Sequence, residues 1–352
     1  MLEIINISQK YNNFTLQNIN FSVKKGEYFV LLGRSGSGKS LLFEIISGFK
    51  QADCGQIILD GKNITKHKIQ NRQIGVVFQD YAAFPHKTVR ENIIYSIKNK
   101  KSKKEVELII AEYSKSMNIE HILDQKPSTL SGGEIQRMVI ARTLISEPKI
   151  LLLDEPLSAL DTQLKNEIRT LLKEINKKTG ITVIHITHDY DETIRLADKV
   201  GIINKGKLLQ IGSIKEVFSR PTTKFTANLA GIQNFFRANL ITIENKKTKK
   251  AILESIIEID ILSEDLDGEG FVIIRSEDII LSKEFHESSA RNNFKGKILT
   301  ITPERSGYEI IIDVSIKFTA IITENSLEFL KLTEGDEIWI SFKASSIQFI
   351  KN

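Results

Sequence analysis

The eight residues Gly33-Arg34-Ser35-Gly36-Ser37-Gly38-Lys39-Ser40 constrain this chain more than any other feature. They follow a continuous apolar run, Tyr28-Phe29-Val30-Leu31-Leu32, and open an amphipathic stretch over 40–49. A strand, a glycine-rich turn and a helix in that order make a cradle for an anion. The glycines let successive backbone N–H groups point into the turn, where side chains would obstruct them. The helix adds the positive end of its dipole. The spacing is that of the phosphate loop G-x-x-x-x-G-K-[ST]. Lys39 is placed to reach the β and γ phosphates of a nucleoside triphosphate, and the Ser40 hydroxyl to ligate Mg²⁺.

Two further apolar runs belong with the first. Ile150-Leu151-Leu152-Leu153 ends at Asp154, and Ile181-Thr182-Val183-Ile184-His185-Ile186 ends near His188. Runs apolar on both faces suit the central strands of a covered parallel sheet. Helical patterns over 162–178 and 191–199 follow them, so the first part of the chain reads as α/β. Residues 91–121 lack strand signals and read as mainly helical, an insertion placed within about residues 80–145.

The second part differs. Short β-rich segments at 270–274, 296–301, 308–314 and 338–342 are separated by Gly, Asn and Asp-Gly, which reads as an all-β barrel or sandwich. Residues 271–279 and 339–347 echo one another: an apolar strand, a basic residue, polar residues, then Ile. Charge divides the chain at the same place. Residues 230–352 hold 15 Lys and Arg against 20 Asp and Glu, while the whole chain is at +5. With Arg220-Pro221 as punctuation, the expected domains are 1–230 and 231–352.

Composition removes several classes. No stretch of about 18 apolar residues occurs, so no membrane span is expected. Cys54 is the single cysteine, which excludes an intramolecular disulfide and a Cys-cluster zinc site. A formal charge of +5 is too small to argue for nucleic acid. The basic run 98–104 reads as a solvated face or a neighbour of acidic headgroups.

Asp154 and Glu155 end a buried strand. Beside a phosphate loop, Asp154 is placed to hold the Mg²⁺ shell and Glu155 to orient or deprotonate an attacking water; capping the next helix is the plainer alternative. Leu130-Ser131-Gly132-Gly133-Glu134 precedes another helix and offers a second N–H cradle. One ATP has little need of two cradles from one chain. The second then serves ATP held by another copy, which implies a nucleotide-sandwich homodimer.

With these motifs in hand, the chain resembles the ATP-binding subunits of ABC transporters over about residues 1–230. Leu130 to Glu134 matches the ABC signature. The resemblance implies a Q-loop at Gln79, contacting Mg²⁺ and sensing the membrane subunit. It implies a D-loop at Asp161, a switch histidine at His188 on the γ-phosphate, and adenine stacked on Tyr11. Phe84-Pro85-His86-Lys87-Thr88 resembles the segment of importer ATPases that docks a permease. Partners implied are two membrane-spanning permease subunits and, indirectly, a substrate-binding protein, with the ATPase on the cytoplasmic face of the membrane.

The end of the chain resembles the molybdate-binding Mop domain. Ser288-Ser289-Ala290-Arg291-Asn292 and Phe342-Lys343-Ala344-Ser345-Ser346 carry that likeness. A tetrahedral dianion needs several donors and a cation or two. Arg291 and Lys343 would supply charge, and Ser289, Asn292, Ser345 and Ser346, with Ala344 between them, the neutral donors. The alternative is that serine-rich turns simply join barrel strands. The expected function is an importer ATPase for molybdate or tungstate, regulated by the oxyanion. Sulfate, sugar, polyamine or iron cargo, and a soluble non-transport ABC ATPase, are the competing readings.

Overall fold

The structure is a computed structural model that describes residues 1–97, 101–243, 248–304 and 307–351. Residues 98–100 of the basic run lie outside the described residues. The chain divides into two compact units, Met1–Ser219 and Arg220–Asn352.

The first unit opens with β1 (Leu2–Tyr11), β2 (Phe14–Val23), β3 (Tyr28–Leu32), α1 (Lys39–Ser47), β4 (Cys54–Leu59), β5 (Lys62–Asn63) and β6 (Ile74–Val77). A helical stretch follows, α2 (Val89–Ile93), α3 (Lys103–Met117) and α4 (Gly132–Leu144). Then come β7 (Ile150–Asp154), α5 (Thr162–Thr179), β8 (Thr182–Thr187), α6 (Tyr190–Leu196), β9 (Lys199–Asn204), β10 (Lys207–Ser213) and α7 (Ile214–Ser219). Each of α2, α3 and α4 starts with a full capping box, Thr88/Glu91, Ser102/Glu105 and Ser131/Glu134. Each box satisfies two orphan donors of a helix end.

The main sheet has the order β10-β9-β3-β8-β7-β6. Its central strands β3 and β8 are buried along their whole length, because parallel neighbours flank them and helices cover them. Leu32 pairs with Thr187, and Asp154 with Ile186. The C-terminal ends of β3, β7 and β8 therefore lie side by side. An open α/β sheet gathers ligands at that edge. A second, antiparallel sheet, β2-β1-β4-β5, packs its apolar face over α1.

Residues 191–199 do not form one helix. α6 stops at Leu196, where Lys173 Nζ binds the Leu196 carbonyl at 2.6 Å, and the chain turns extended at Ala197. Asp198 then accepts the Tyr28 N–H, and Lys199 begins β9. The strand partner outweighs helical periodicity there.

The second unit holds α8 (Lys224–Leu229), β11 (Asn234–Ile241), β12 (Lys249–Leu253), β13 (Ile257–Ile261), β14 (Gly268–Ile274) and β15 (Ile280–Ser282). It ends with β16 (Asn292–Glu304), β17 (Gly307–Asp313), β18 (Lys317–Ile322), α9 (Glu324–Leu330), β19 (Glu337–Phe342) and β20 (Ile347–Lys351). Two five-stranded antiparallel sheets result, β13-β12-β11-β14-β20 and β15-β19-β16-β17-β18. One core lies between them, with Phe236 of the first sheet 5.0 Å from Phe318 of the second.

The echo of 271–279 in 339–347 is structural. Each segment is a strand, a single 3-10 turn and a second strand. The two cross over: β14 pairs with β20, and β19 with β15. Each half thus supplies one strand to each sheet.

Candidate nucleotide site

The turn after β3 is shaped as a cradle. A Cβ on Gly33 would lie 2.4 Å from the Ile203 carbonyl oxygen, and one on Gly38 would lie 2.8 Å from Leu16 and Phe14. Gly38 also has φ of 104°, a conformation open to glycine. Lys39 is buried, and its ammonium donates to the carbonyls of Gly33 at 2.8 Å and Arg34 at 3.1 Å. Ser37 Oγ is buried without a hydrogen-bond partner among the described residues. A buried ammonium on two carbonyls and an orphan hydroxyl, in a loop with no room for a side chain at Gly33 or Gly38, fit a bound polyphosphate.

The neighbouring strand ends complete the site. Glu155 Oε1 is 3.7 Å from Lys39 Nζ, and Oε2 is 3.1 Å from His188 Nδ1. Glu155 takes φ of 43°, rare for a residue with a side chain. Its N–H is held by the Ile186 carbonyl at 2.9 Å, and its carbonyl accepts the Ser158 hydroxyl at 2.9 Å. Strain of this kind persists where surroundings over-determine it.

Burial, then the adjacent Glu155 charge, pushes the Asp154 carboxyl up to about 6. Burial lowers the Lys39 pKa, with Glu155 and Asp154 acting the other way. The raised Asp154 value exceeds its ordinary 3.8, so its ionisation opposes folding. That opposition is complete above pH 6 and fades as pH falls toward the unfolded value. Partial exposure screens the cost to about 1 kcal/mol, or about 2–4 °C in a unit of this size. Asp154→Asn should therefore melt about 2–4 °C above the parent at pH 8 without nucleotide, with the gain shrinking by pH 4.5. An Asp154→Asn gain that grows with acidity would contradict the raised value.

The remaining predicted residues are distributed as follows. Ser40 is exposed in the first turn of α1. Gln79 is exposed two residues past β6, whose last residue, Val77, pairs with Leu153, two residues before Glu155. Tyr11, 48% exposed, sits in the β1–β2 hairpin whose Phe14 abuts Gly38, with Lys50 Nζ 3.7 Å from its ring centroid. Ser131 is the N-cap of α4, and its hydroxyl donates to Glu134 at 2.7 Å. A Cβ on Gly132 would touch Leu160, and one on Gly133 would touch Leu164. Asp161 caps α5 through the Gln163 and Leu164 N–H groups. Leu130 to Glu134 thus lies beside the Asp161 turn, and no described hydrogen bond joins it to the phosphate loop.

In the second unit, Asn292 pairs with Phe342. The turns carrying Ser289 and Arg291, and Lys343 to Ser346, therefore meet at one sheet edge. Ser289, Arg291, Lys343 and Ser345 are exposed there. Asn292 is buried and already engaged: its Oδ1 accepts the Asp260 N–H at 2.7 Å, and its Nδ2 donates to the carbonyls of Asp260 and Phe342. Ser346 Oγ donates to the Lys343 carbonyl at 2.9 Å, and Ala344 accepts the Leu262 N–H.

Residues 16–158 match the ABC transporter family, and residues 288–349 the TOBE domain. The molybdate/tungstate import ATP-binding protein of Pyrococcus abyssi is 41% identical over 352 residues, 99% of each chain. This chain belongs to the ABC transporter ATP-binding proteins. A spermidine/putrescine import ATP-binding protein of Mannheimia succiniciproducens is 36% identical over 86% of the ABC ATPase and 85% of itself. The ATP-binding cassette MJ0796, solved as a post-hydrolysis dimer bound to ADP and Pi, is 30% identical with a TM-score of 0.55. It covers 61% of the ABC ATPase and 99% of its own chain. The ABC ATPase is an ATP hydrolase coupled to transport. Among its described residues no helix is long and apolar enough to cross a membrane.

Sequence reasoning missed several neighbours of the site. Thr187 and Glu192 hydrogen-bond around His188, and His121 lies 3.5 Å from Glu134. Thr187 lies between an apolar run and His188, and Glu192 inside a charged helix, so neither stood out.

Proposed function

We propose that this ABC ATPase energises import of molybdate or tungstate through a separate permease, as a homodimer at the cytoplasmic face of the membrane. The observation that carries the cargo reading is the Asn292–Phe342 pairing, which puts Arg291, Lys343 and the flanking serines on one edge. Full-length similarity to the Pyrococcus abyssi molybdate/tungstate protein supports it.

In this reading the Gly33–Ser40 N–H groups and Lys39 hold the phosphates. Ser40, Asp154 and Gln79 would hold Mg²⁺, which when bound screens phosphate charge. Glu155 takes a proton from water as the new bond to the γ-phosphorus forms and the bond to the ADP oxygen breaks. His188 orients Glu155 and reaches the γ-phosphate. Lys50 covers one face of Tyr11, and adenine would stack on the other. Leu130 to Glu134 and Asp161 serve the nucleotide of the second copy.

The permease would meet the Phe84–Thr88 segment. The Phe84 ring lies 4.4 Å from that of Tyr95, tilted by 45°; Tyr95 is half exposed, and Arg142 lies 4.8 Å over the Phe84 ring. The buried Asn92 amide ties down Phe84, Lys87 and Thr88.

Oxyanion bound at the second unit would inhibit transport when the ion accumulates, a coupling of about 1–3 kcal/mol. Similarity to the spermidine/putrescine protein favours a polyamine as the second reading. Calorimetric titration of the full chain separates them. Molybdate and tungstate should release heat and spermidine should not, and Lys343→Ala should weaken oxyanion binding about tenfold, or 1.4 kcal/mol. Heat from spermidine alone would overturn the oxyanion reading.

A further inference from the structure

A buried carboxylate needs partners, and the hydrolysis scheme leaves the most buried one in this unit without a task. Glu192 is 2% exposed. Its Oε2 accepts the Thr187 hydroxyl at 2.7 Å. The same hydroxyl oxygen accepts the Asp189 N–H at 3.0 Å, and the Glu192 N–H donates to Asp189 Oδ1 at 2.9 Å. Thr187 and Asp189 are the two neighbours of His188. The Glu192 carboxylate binds Thr187 directly and Asp189 only through the Thr187 hydroxyl; the direct bond to Asp189 comes from the Glu192 backbone.

The far side of Glu192 faces Arg169 and His185 at longer range. Arg169 of α5 lies 3.9 Å from Glu192 Oε1 and 3.7 Å from Asp189 Oδ2. His185 Nε2 is 3.5 Å from Glu192 Oε2, without the geometry of a hydrogen bond. The other His185 nitrogen meets the buried Tyr28 hydroxyl at 3.0 Å. Burial alone would raise the Glu192 pKa, but His185, Thr187 and Arg169 outweigh it and lower the value. The group stays charged where it stands. A cavity of about 40 Å³, lined by Glu155, Lys165, His188 and Glu192 among others, opens beside the Glu155–His188 pair. It has room for a water molecule.

We propose that Glu192 is a positioning residue: its carboxylate fixes the Thr187 hydroxyl, which in turn holds the Asp189 N–H, so that the two neighbours of His188 keep the imidazole on Glu155 and set the hydrolytic step, not nucleotide affinity. The inference rests on the roles given above to Glu155 and His188. A misplacement near 1 Å at a reacting group costs about 10²-fold in rate.

The test uses the full chain and separates kcat from KM for Mg-ATP. Thr187→Val has nearly the parent's shape but loses both hydrogen bonds, whereas Thr187→Ser keeps them. Glu192→Gln keeps an acceptor and loses the charge. Thr187→Val and Glu192→Gln should each lower kcat about 10–100-fold with KM within about twofold, and Thr187→Ser should stay near the parent. In a His188→Ala background, Glu192→Gln should lower kcat no further. Losses that multiply in the double variant, or Thr187→Val at the parent's kcat, would overturn the inference alone. Parental turnover in His188→Ala would overturn the His188 role and this inference with it. Should Glu192→Gln melt far below the parent, Thr187→Val against Thr187→Ser decides the matter.

Discussion

Glu155→Gln should lower ATP turnover by about 10²–10⁴-fold while leaving ATP binding intact. The amide keeps the size of the carboxylate but cannot accept a proton from water. The backbone should stay in place, because the Ile186 carbonyl and Ser158 hold it, not the carboxylate. Loss of the negative charge has a second effect. The Glu155 charge is one of the causes that raise the Asp154 pKa to about 6. Without it Asp154 ionises more readily at neutral pH, so Mg-ATP should bind at least as well. Binding without turnover should then accumulate an ATP-bound dimer, visible by light scattering as a doubling of mass. Hydrolysis at the parent's rate would remove Glu155 from its role. A monomer in the presence of Mg-ATP would remove the sandwich.

The largest stability effect is expected far from the phosphate loop's own residues. Arg72→Ala should destabilise the first unit by about 3–5 kcal/mol, or roughly 6–20 °C in melting temperature. Arg72 is 1% exposed, and its described acceptors are all backbone carbonyls. Nη1 donates to Ile45 at 2.7 Å and Ile46 at 2.9 Å, Nη2 to Thr65 at 2.6 Å, and Nε to His67 at 3.0 Å. Ile45 and Ile46 belong to the last turn of α1, whose final carbonyls have no partner inside the helix. The guanidinium therefore caps the very helix that begins at the phosphate loop and locks it to the 65–67 segment. Truncation strands two buried acceptors, Ile45 and Ile46, and two half-buried ones, and leaves a cavity. Lysine brings a compact point charge in place of the planar fork, so Arg72→Lys should recover only part of the loss. Thermal unfolding followed by circular dichroism measures both; an Arg72→Ala loss below about 1 kcal/mol would show that water replaces the guanidinium.

What was legible in the sequence was local. The runs at 28–32, 150–153 and 181–186 carry their own period and end at charged or glycine residues. The phosphate loop, Asp154-Glu155 and His188 therefore stood out, and the structure brings them to one sheet edge. Arg72 was illegible because its partners lie between 5 and 27 positions away and are carbonyls, which every residue possesses. Lys199 was misplaced for a related reason: its strand neighbour is Phe29. Asn292 was read as a free donor because its spacing from the serines is local, while the Asp260 backbone that engages it belongs to another strand. The Glu192 hold on Thr187 is short in sequence, yet its meaning depends on Arg169 arriving from α5 beside both Glu192 and Asp189.

The crossed strands of the second unit bear on how that unit folds. The pairing of Gly270 with Lys351 means that β14 waits for a strand far along the chain before its sheet is complete. Pairings between distant segments form more slowly than those between neighbours, because the loop must be closed first. Until β20 docks, β14 presents an open edge rich in Phe, Val and Ile. Such an edge is a template for other chains, so anything that delays β20 exposes the folding protein to aggregation.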